Sequence, residues 1–375
     1  MPQLTNIRSL SSLTYISGLD GLRAIAILLV VAHHYLSPFK ANLQQSLAGL
    51  PLLVIAKIGW IGVDIFFVIS GFLIARVLAR RPPSSFASLK HFIAARAWRL
   101  LPAYVACVVL FLMVAAISTP NSQVLINSWS VWTLSSNLQS AFGNRTALMD
   151  AHYSLVHFWS LAVEWHFYLL FACCVWLFKS QRFTAWTMLV LAIICRTLLQ
   201  KNGFSDNAIY AFSVCRFDAF AIGVLIAHAR PMSQVRKLGL AGALLLLVML
   251  SLIVLAPEPY KKISWLQQYG YSLIALGTGM VLLWAIQQPE SWLMHYLESR
   301  WLVYIGQRSY SIYLWHLVFF PGIANWVAGL GLPASPTIAL IFMVNCATTA
   351  LLTVCFYQGI ELKCYRWFRQ SQAKV

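Results

Sequence analysis

In 375 residues this chain carries 10% charged and 60% hydrophobic residues, with a mean hydropathy of +0.73. A soluble domain has about 25% charged residues, so this chain cannot clothe its apolar surface in a polar shell and its solvent must be lipid. The formal net charge of +17 does not make nucleic acid an expected partner. Its Lys and Arg sit in short clusters between apolar runs, as the positive-inside rule places them.

Apolar runs follow one another in chain order at Gly18–Ser37, Ile58–Ala79, Leu101–Thr119, Leu155–Phe178, Thr184–Gln200, Ala208–Ala229, Leu238–Ala256, Gln268–Ile286, Leu302–Ala328 and Pro336–Ile360. Each approaches the ~20 residues that a helix needs to cross ~30 Å of hydrocarbon. The stretch Val124–Leu138 is shorter and rich in Ser and Asn, and is read as an interfacial or re-entrant helix. Many of the 15 Trp, 15 Tyr and 22 Phe lie near run ends, where amphipathic rings favour the membrane interface.

With the N-terminus inside and ten alternating spans, nineteen Lys and Arg fall on the inner side, Arg8, Arg369 and Lys374 among them. Six fall outside: Lys40, Lys57, Arg145, Lys201, Lys261 and Lys262. Counting Val124–Leu138 as a span would destroy that asymmetry. The expected fold is therefore an all-α polytopic membrane bundle of about ten transmembrane helices with both termini cytoplasmic. It forms a single domain over 1–375 with its core at about 18–360, and no appended soluble domain, cleavable signal or internal repeat is expected. The eight cysteines lack a C-x-x-C pair and are read as small buried hydrophobes rather than disulfides or a metal site.

Ionisable residues within spans are expensive and point to function by default. Here they are Arg23, His33, His34, Asp64, Glu164, His166, Arg196, Arg216, Asp218, Arg308 and His316. Arg23 and His34 are eleven residues apart, so they share a helix face ~16 Å apart along the axis, while His33 points elsewhere. Arg23 could equally be an interfacial anchor paired with Asp20, and His34 an interhelical hydrogen bond. Asp64, Glu164 and His316 fall at depths close to that of His34, which allows a central polar site. Arg216 and Asp218 are two residues apart and cannot pair with each other, so each needs a partner on another span. Arg96 and Arg99 share a face just before a span and suit either an anionic phosphate ligand or anionic lipid. The histidines form no H-x-x-x-H set, so no metal is expected, and no G-x-S-x-G nucleophile motif occurs.

Six segments together resemble the acyltransferase 3 family of bacterial membrane proteins: GLDGLRAIAILLVVAHHY, GVDIFFVISGFLI, RAWRLLPAY, FWSLAVEWHFYLL, RFDAFAIG and IGQRSYSIYLWH. They stand in the family's order and cover about 18 to 360. The resemblance implies a multi-pass protein of the bacterial cytoplasmic (inner) membrane that transfers an acyl group, usually acetyl from acetyl-CoA, to a hydroxyl of a glycan or glycolipid. It makes His34 the catalytic residue with Arg23 essential beside it, and Arg96 and Arg99 the handlers of the donor. Polysaccharide-assembly proteins are the macromolecular partners it suggests; acetyl-CoA is a substrate, and no permanently bound cofactor is implied. The sequence departs from the family in reading Glu164, Trp165, His166 where Glu-Glu-Gln is common.

On this reading Arg96, Arg99 and Arg23 hold the donor's phosphates, and His34 takes the proton of the attacking hydroxyl. Glu164 or Asp64 would orient His34, and His34 as a transient acyl carrier is a variant of the same scheme. Arg216, Asp218 and His316 are further candidate pocket residues. The rival class is a transporter or flippase of a glycan or lipid intermediate using the same buried charges.

Overall fold

The computed structural model describes residues 15–45, 47–120, 122–364 and 366–367. Arg8, Arg369 and Lys374 of the charge count lie outside the described residues.

With no water to satisfy backbone groups in hydrocarbon, apolar runs must close their hydrogen bonds internally, and helices do so. The first half of the bundle consists of α1 (Ser17–Leu36), a short α2 (Leu50–Ile58), α3 (Ile61–Arg80), α4 (Phe86–Ser118), α5 (Trp159–Phe178) and α6 (Gln181–Lys201). The second half is α7 (Ser213–Ala227), α8 (Val235–Leu255), α9 (Tyr271–Gln287), α10 (Arg300–Gln307), α11 (Ser309–Trp315), α12 (Phe320–Ala328) and α13 (Ala334–Phe356). Among the described residues nine helical segments are long and apolar enough to cross a membrane, and the bent pair α11–α12 makes a tenth. The protein is thus a multi-pass membrane bundle, as its composition requires.

Local sequence sets the helix ends. Ser85 accepts the Ser88 N–H while Ser88 reaches back to the Ser85 N–H, a capping box that starts α4 well before its apolar run. Lys90, Arg96 and Arg99 therefore ride on the same helix as the span. Lys179 closes α5 in the left-handed conformation at φ 56°, and Ser180 caps α6 immediately after it. Val124–Leu138 is divided among three short helices, none long enough to span.

One run departs from its expected form. Leu302–Ala328 is not a continuous helix: it breaks at Arg308 and again between Trp315 and Phe320, where the chain bends by 56°. Arg308 turns back to donate to the Tyr304 carbonyl at 2.9 Å and lies over the Tyr304 ring, and Pro321 opens the last piece. Irregular backbone at membrane depth is tolerated where protein buries it or it lines a cavity, and His316 sits in this break. The cysteines also differ from expectation: only Cys107 and Cys215 are buried, and Cys355 is exposed.

The core lies where α3, α5 and α7 meet, with Phe67 stacked on Phe220 at 4.4 Å and Phe167 on Phe220 at 4.2 Å. Gly71 and Gly223 let α3 and α7 touch backbone to backbone: a Cβ at Gly71 would strike the Phe220 carbonyl, and one at Gly223 the Val68 carbonyl. Outside this core, Leu240, Leu244, Leu247 and Leu252 of α8 are exposed on a face that only lipid can solvate.

Candidate active site

The site lies inside the bundle along α1, between an arginine end and a histidine end. Arg23, in the first third of α1, sits 3.7 Å from Asp20 and lines two small cavities of about 50 and 40 Å³. Arg96 and Arg99 of α4 line the second of these, together with Arg23, Ser70 and Glu164. The fork expected at the surface thus converges with Arg23 on one pocket. Glu164 accepts hydrogen bonds from Ser70 at 2.5 Å and from Tyr168.

At the other end of α1, half-buried His34 lines a cavity of about 510 Å³ with His33, Trp60, Tyr210, Tyr260 and Tyr313. Val63 and Tyr313 border both this cavity and the Arg23–Glu164 cavity, so the polar spaces adjoin in series from Arg96 and Arg99 to His34.

At Nδ1, His34 meets a histidine rather than either expected acid. Its Nδ1 lies 3.0 Å from Nε2 of His316, which is buried. His316 Nδ1 lies 2.8 Å from the Tyr313 carbonyl, an acceptor only, so that nitrogen carries the proton. In a neutral ring His316 Nε2 is then the acceptor, and the bond to His34 must come from His34 Nδ1–H. The basic lone pair of His34 is left on Nε2. The backbone of α11 thereby fixes the tautomer of a residue on α1, the task that an acid performs in a hydrolase triad. His316 is itself held on both sides: Tyr35 donates to its carbonyl at 2.7 Å, and the His157 ring packs edge-on at 4.8 Å. His33 turns away as its rotation requires and donates from Nδ1 to the Ala56 carbonyl of α2 at 2.8 Å.

The remaining charges pair across spans. Asp64 is bonded to Arg216, and Asp218 to Arg196 at 2.8 Å, all four buried. Arg196 also donates to the Cys215 carbonyl at 2.5 Å and to Ser272 at 2.6 Å. The Arg216 guanidinium lies over Tyr271 at 4.3 Å and Tyr210 at 5.1 Å, so the pair braces the aromatic wall of the His34 cavity. The sequence reading missed His157, Tyr313, Ser70 and Tyr168. The only available signal for them was polar residue types inside apolar runs, and Ser and Tyr are too common there to stand out.

The order of motifs along the chain and the convergence of their polar residues in one interior decide the family. The chain belongs to the acyltransferase 3 family, whose acyltransferase domain matches residues 16–357. Two Staphylococcus aureus proteins are similar to it along most of its length. The one named Putative O-acetyltransferase SACOL0978, from strain COL, is 26% identical over 92% of this chain and 57% of its own. O-acetyltransferase OatA of strain NCTC 8325 is likewise 26% identical over 92% of this chain and 57% of its own. This chain therefore spans little more than half the length of these relatives. No solved structure matches it.

Proposed function

We propose that this protein is an O-acetyltransferase of the bacterial cytoplasmic membrane that moves an acetyl group from acetyl-CoA to a hydroxyl of a glycan or glycolipid. The observation that carries the reading is the contact of His34 Nδ1 with His316 at a cavity in series with an arginine-lined pocket. Membership of the acyltransferase 3 family and the names of the two relatives support the reaction class. The Lys/Arg asymmetry supports a cytoplasmic arginine end, where acetyl-CoA is available.

In this mechanism Arg96, Arg99 and Arg23 bind the phosphates of the donor by charge-assisted hydrogen bonds, and its thioester extends along α1 to the His34 cavity. An acceptor hydroxyl enters from the opposite face. His34 Nε2 takes its proton as the oxygen attacks the thioester carbonyl. His316 Nε2 keeps the proton of His34 Nδ1 in place and stabilises the imidazolium. The C–S bond breaks, and the departing thiolate receives the proton from His34. Asp64 and Glu164 do not orient the base: Asp64 supports the cavity wall through Arg216, and Glu164 lines the donor passage.

The test is acetyl-CoA binding and CoA release by the purified protein, wild type beside His34→Ala and Arg96→Ala/Arg99→Ala. A positioned general base contributes about 10²–10⁴-fold, so His34→Ala is expected to bind donor and release no CoA above background. The double Arg variant is expected to lose donor affinity. Wild type without affinity for acetyl-CoA would sink the reading and favour a transporter.

A further inference from the structure

We infer that Tyr35 and Thr349 are positioning residues of the transfer reaction. Their hydroxyls form a chain that ends on the His316 carbonyl and holds the broken span so that the His316 ring keeps its contact with His34. This rests on the reading of His34 as the base of acyl transfer. Neither Tyr35 nor Thr349 borders the His34 cavity or the arginine-lined pockets, so their effect on turnover passes through His316.

The need for such a hold follows from the break in the span. A continuing helix gives each carbonyl the N–H of the residue four positions on. For His316 that N–H belongs to Phe320, and it bonds the Leu317 carbonyl at 3.3 Å instead. The next residue, Pro321, has no N–H to give. A carbonyl orphaned in this way inside a membrane protein must find another donor. The Tyr35 hydroxyl supplies it, at 2.7 Å.

Tyr35 has a single hydroxyl proton. The His316 carbonyl lies at 2.7 Å and the Asn345 carbonyl at 3.4 Å, so the proton goes to His316. The Thr349 hydroxyl, 2.8 Å from the same Tyr35 oxygen, is then the donor to it. The chain runs from Thr349 O–H to Tyr35 O–H to His316 C=O, and each donation strengthens the next. All three residues are buried. The Tyr35 ring is itself fixed, stacked on Phe320 at 5.3 Å and edge-on to Phe342 at 5.9 Å. Phe320 opens α12 just beyond the break, and Phe342 stands on α13 with Thr349.

Tyr35 also follows His34 directly in α1. Two consecutive residues of one helix thus grip His316 at two atoms, His34 at Nε2 of the ring and Tyr35 at the carbonyl. The carbonyl anchor fixes the backbone from which the ring projects. Without it the turn between Trp315 and Phe320, which no continuous helix holds, is free to shift and to carry Nε2 away from His34.

The experiment uses the full chain in lipid nanodiscs, with acetyl-CoA as donor and a partial hydrolysate of bacterial envelope glycan as acceptor, and reads CoA release. Tyr35→Phe removes the hydroxyl and keeps the stacked ring. It is expected to lower kcat about tenfold, less than the ~10²-fold of a full misplacement, with KM for acetyl-CoA unchanged. Thr349→Val should lower kcat in the same direction, and Thr349→Ser, which keeps a hydroxyl, should recover it. The deciding comparison is a double-mutant cycle, because residues that act through one another are not additive. In the His316→Leu protein, whose side chain accepts nothing from His34, Tyr35→Phe is expected to cost nothing further. Thermal unfolding shows which variants are folded, and the two Thr349 variants carry the test if Tyr35→Phe does not fold. Wild-type kcat in folded Tyr35→Phe, equal rates in Thr349→Val and Thr349→Ser, a rise in KM in place of the loss in kcat, or the same fold-loss in the His316→Leu background would overturn the inference. Wild-type CoA release that does not depend on His34 would instead overturn the transfer reading, and this inference with it.

Discussion

His34 Nδ1 and His316 Nε2 lie 3.0 Å apart across the point where the α11–α12 span breaks. Because His316 Nδ1 is committed to the Tyr313 carbonyl, the pair admits one neutral arrangement, with the basic nitrogen of His34 at Nε2. Replacing His316 with Leu is expected to lower kcat by about 10²-fold, within the range of general-base effects, while the KM for acetyl-CoA stays near wild type. His316→Gln can offer an amide oxygen to His34 Nδ1–H and should recover part of the loss. The measurement is acceptor-dependent CoA release for the two variants side by side, and wild-type kcat in His316→Leu would remove His316 from the mechanism.

The buried Asp64–Arg216 pair predicts a stability signature distinct from catalysis. Removing one partner strands the other charge, at about 3–5 kcal/mol, whereas replacing both by apolar residues of similar volume is often neutral. Asp64→Leu should therefore lower the unfolding temperature in detergent far more than Asp64→Leu/Arg216→Met does. Equal losses in the single and double variants would show that the pair contributes nothing through its coupling.

Where α3 crosses α7, Gly71 and Gly223 each face a carbonyl of the opposite helix. A methyl at either position must push the helices apart, and overpacking of this kind costs about 1–3 kcal/mol. Gly223→Ala is expected to unfold at lower temperature and to lose turnover together with stability, since α3 carries Val63 and Ser70 of the passage. A variant as stable as wild type would mean that the crossing relaxes without strain.

The spans were legible because burial in lipid imposes one requirement on every residue of a run, and Gly18–Ser37 differs from α1 by a single residue at each end. The break at His316 was not, although Arg308, His316 and Pro321 interrupt the apolar run Leu302–Ala328, because the bend is set by the turns at Arg308 and between Trp315 and Phe320. Within the site, the shared face of Arg23 and His34 followed from helical rotation. So did the need of Arg216 and Asp218 for partners on other spans, which Asp64 and Arg196 supply. What the sequence left open was which acid or base faces His34. Asp64, Glu164 and His316 stand at similar depths, and depth alone does not fix the rotation of one helix against another. Only the packed helices distinguish His316 from the two carboxylates.

The narrowest part of the proposed donor path gives the last prediction. The Arg23 cavities hold about 50 and 40 Å³ while the His34 cavity holds about 510 Å³, and Val63 and Tyr313 stand between them. An acyl chain carried from Arg96 and Arg99 to His34 must pass Val63, so side chains there have to yield. Val63→Trp should leave CoA affinity within about threefold, since the phosphates are held elsewhere, yet reduce CoA release by about 10²-fold, the scale on which misplacement of a reactant is felt. Val63→Ala widens the same point and should turn over at least as fast as wild type. If folded Val63→Trp released CoA at the wild-type rate, the thioester would have to reach His34 by another route, and the role of Arg23 as a donor ligand would fall with it.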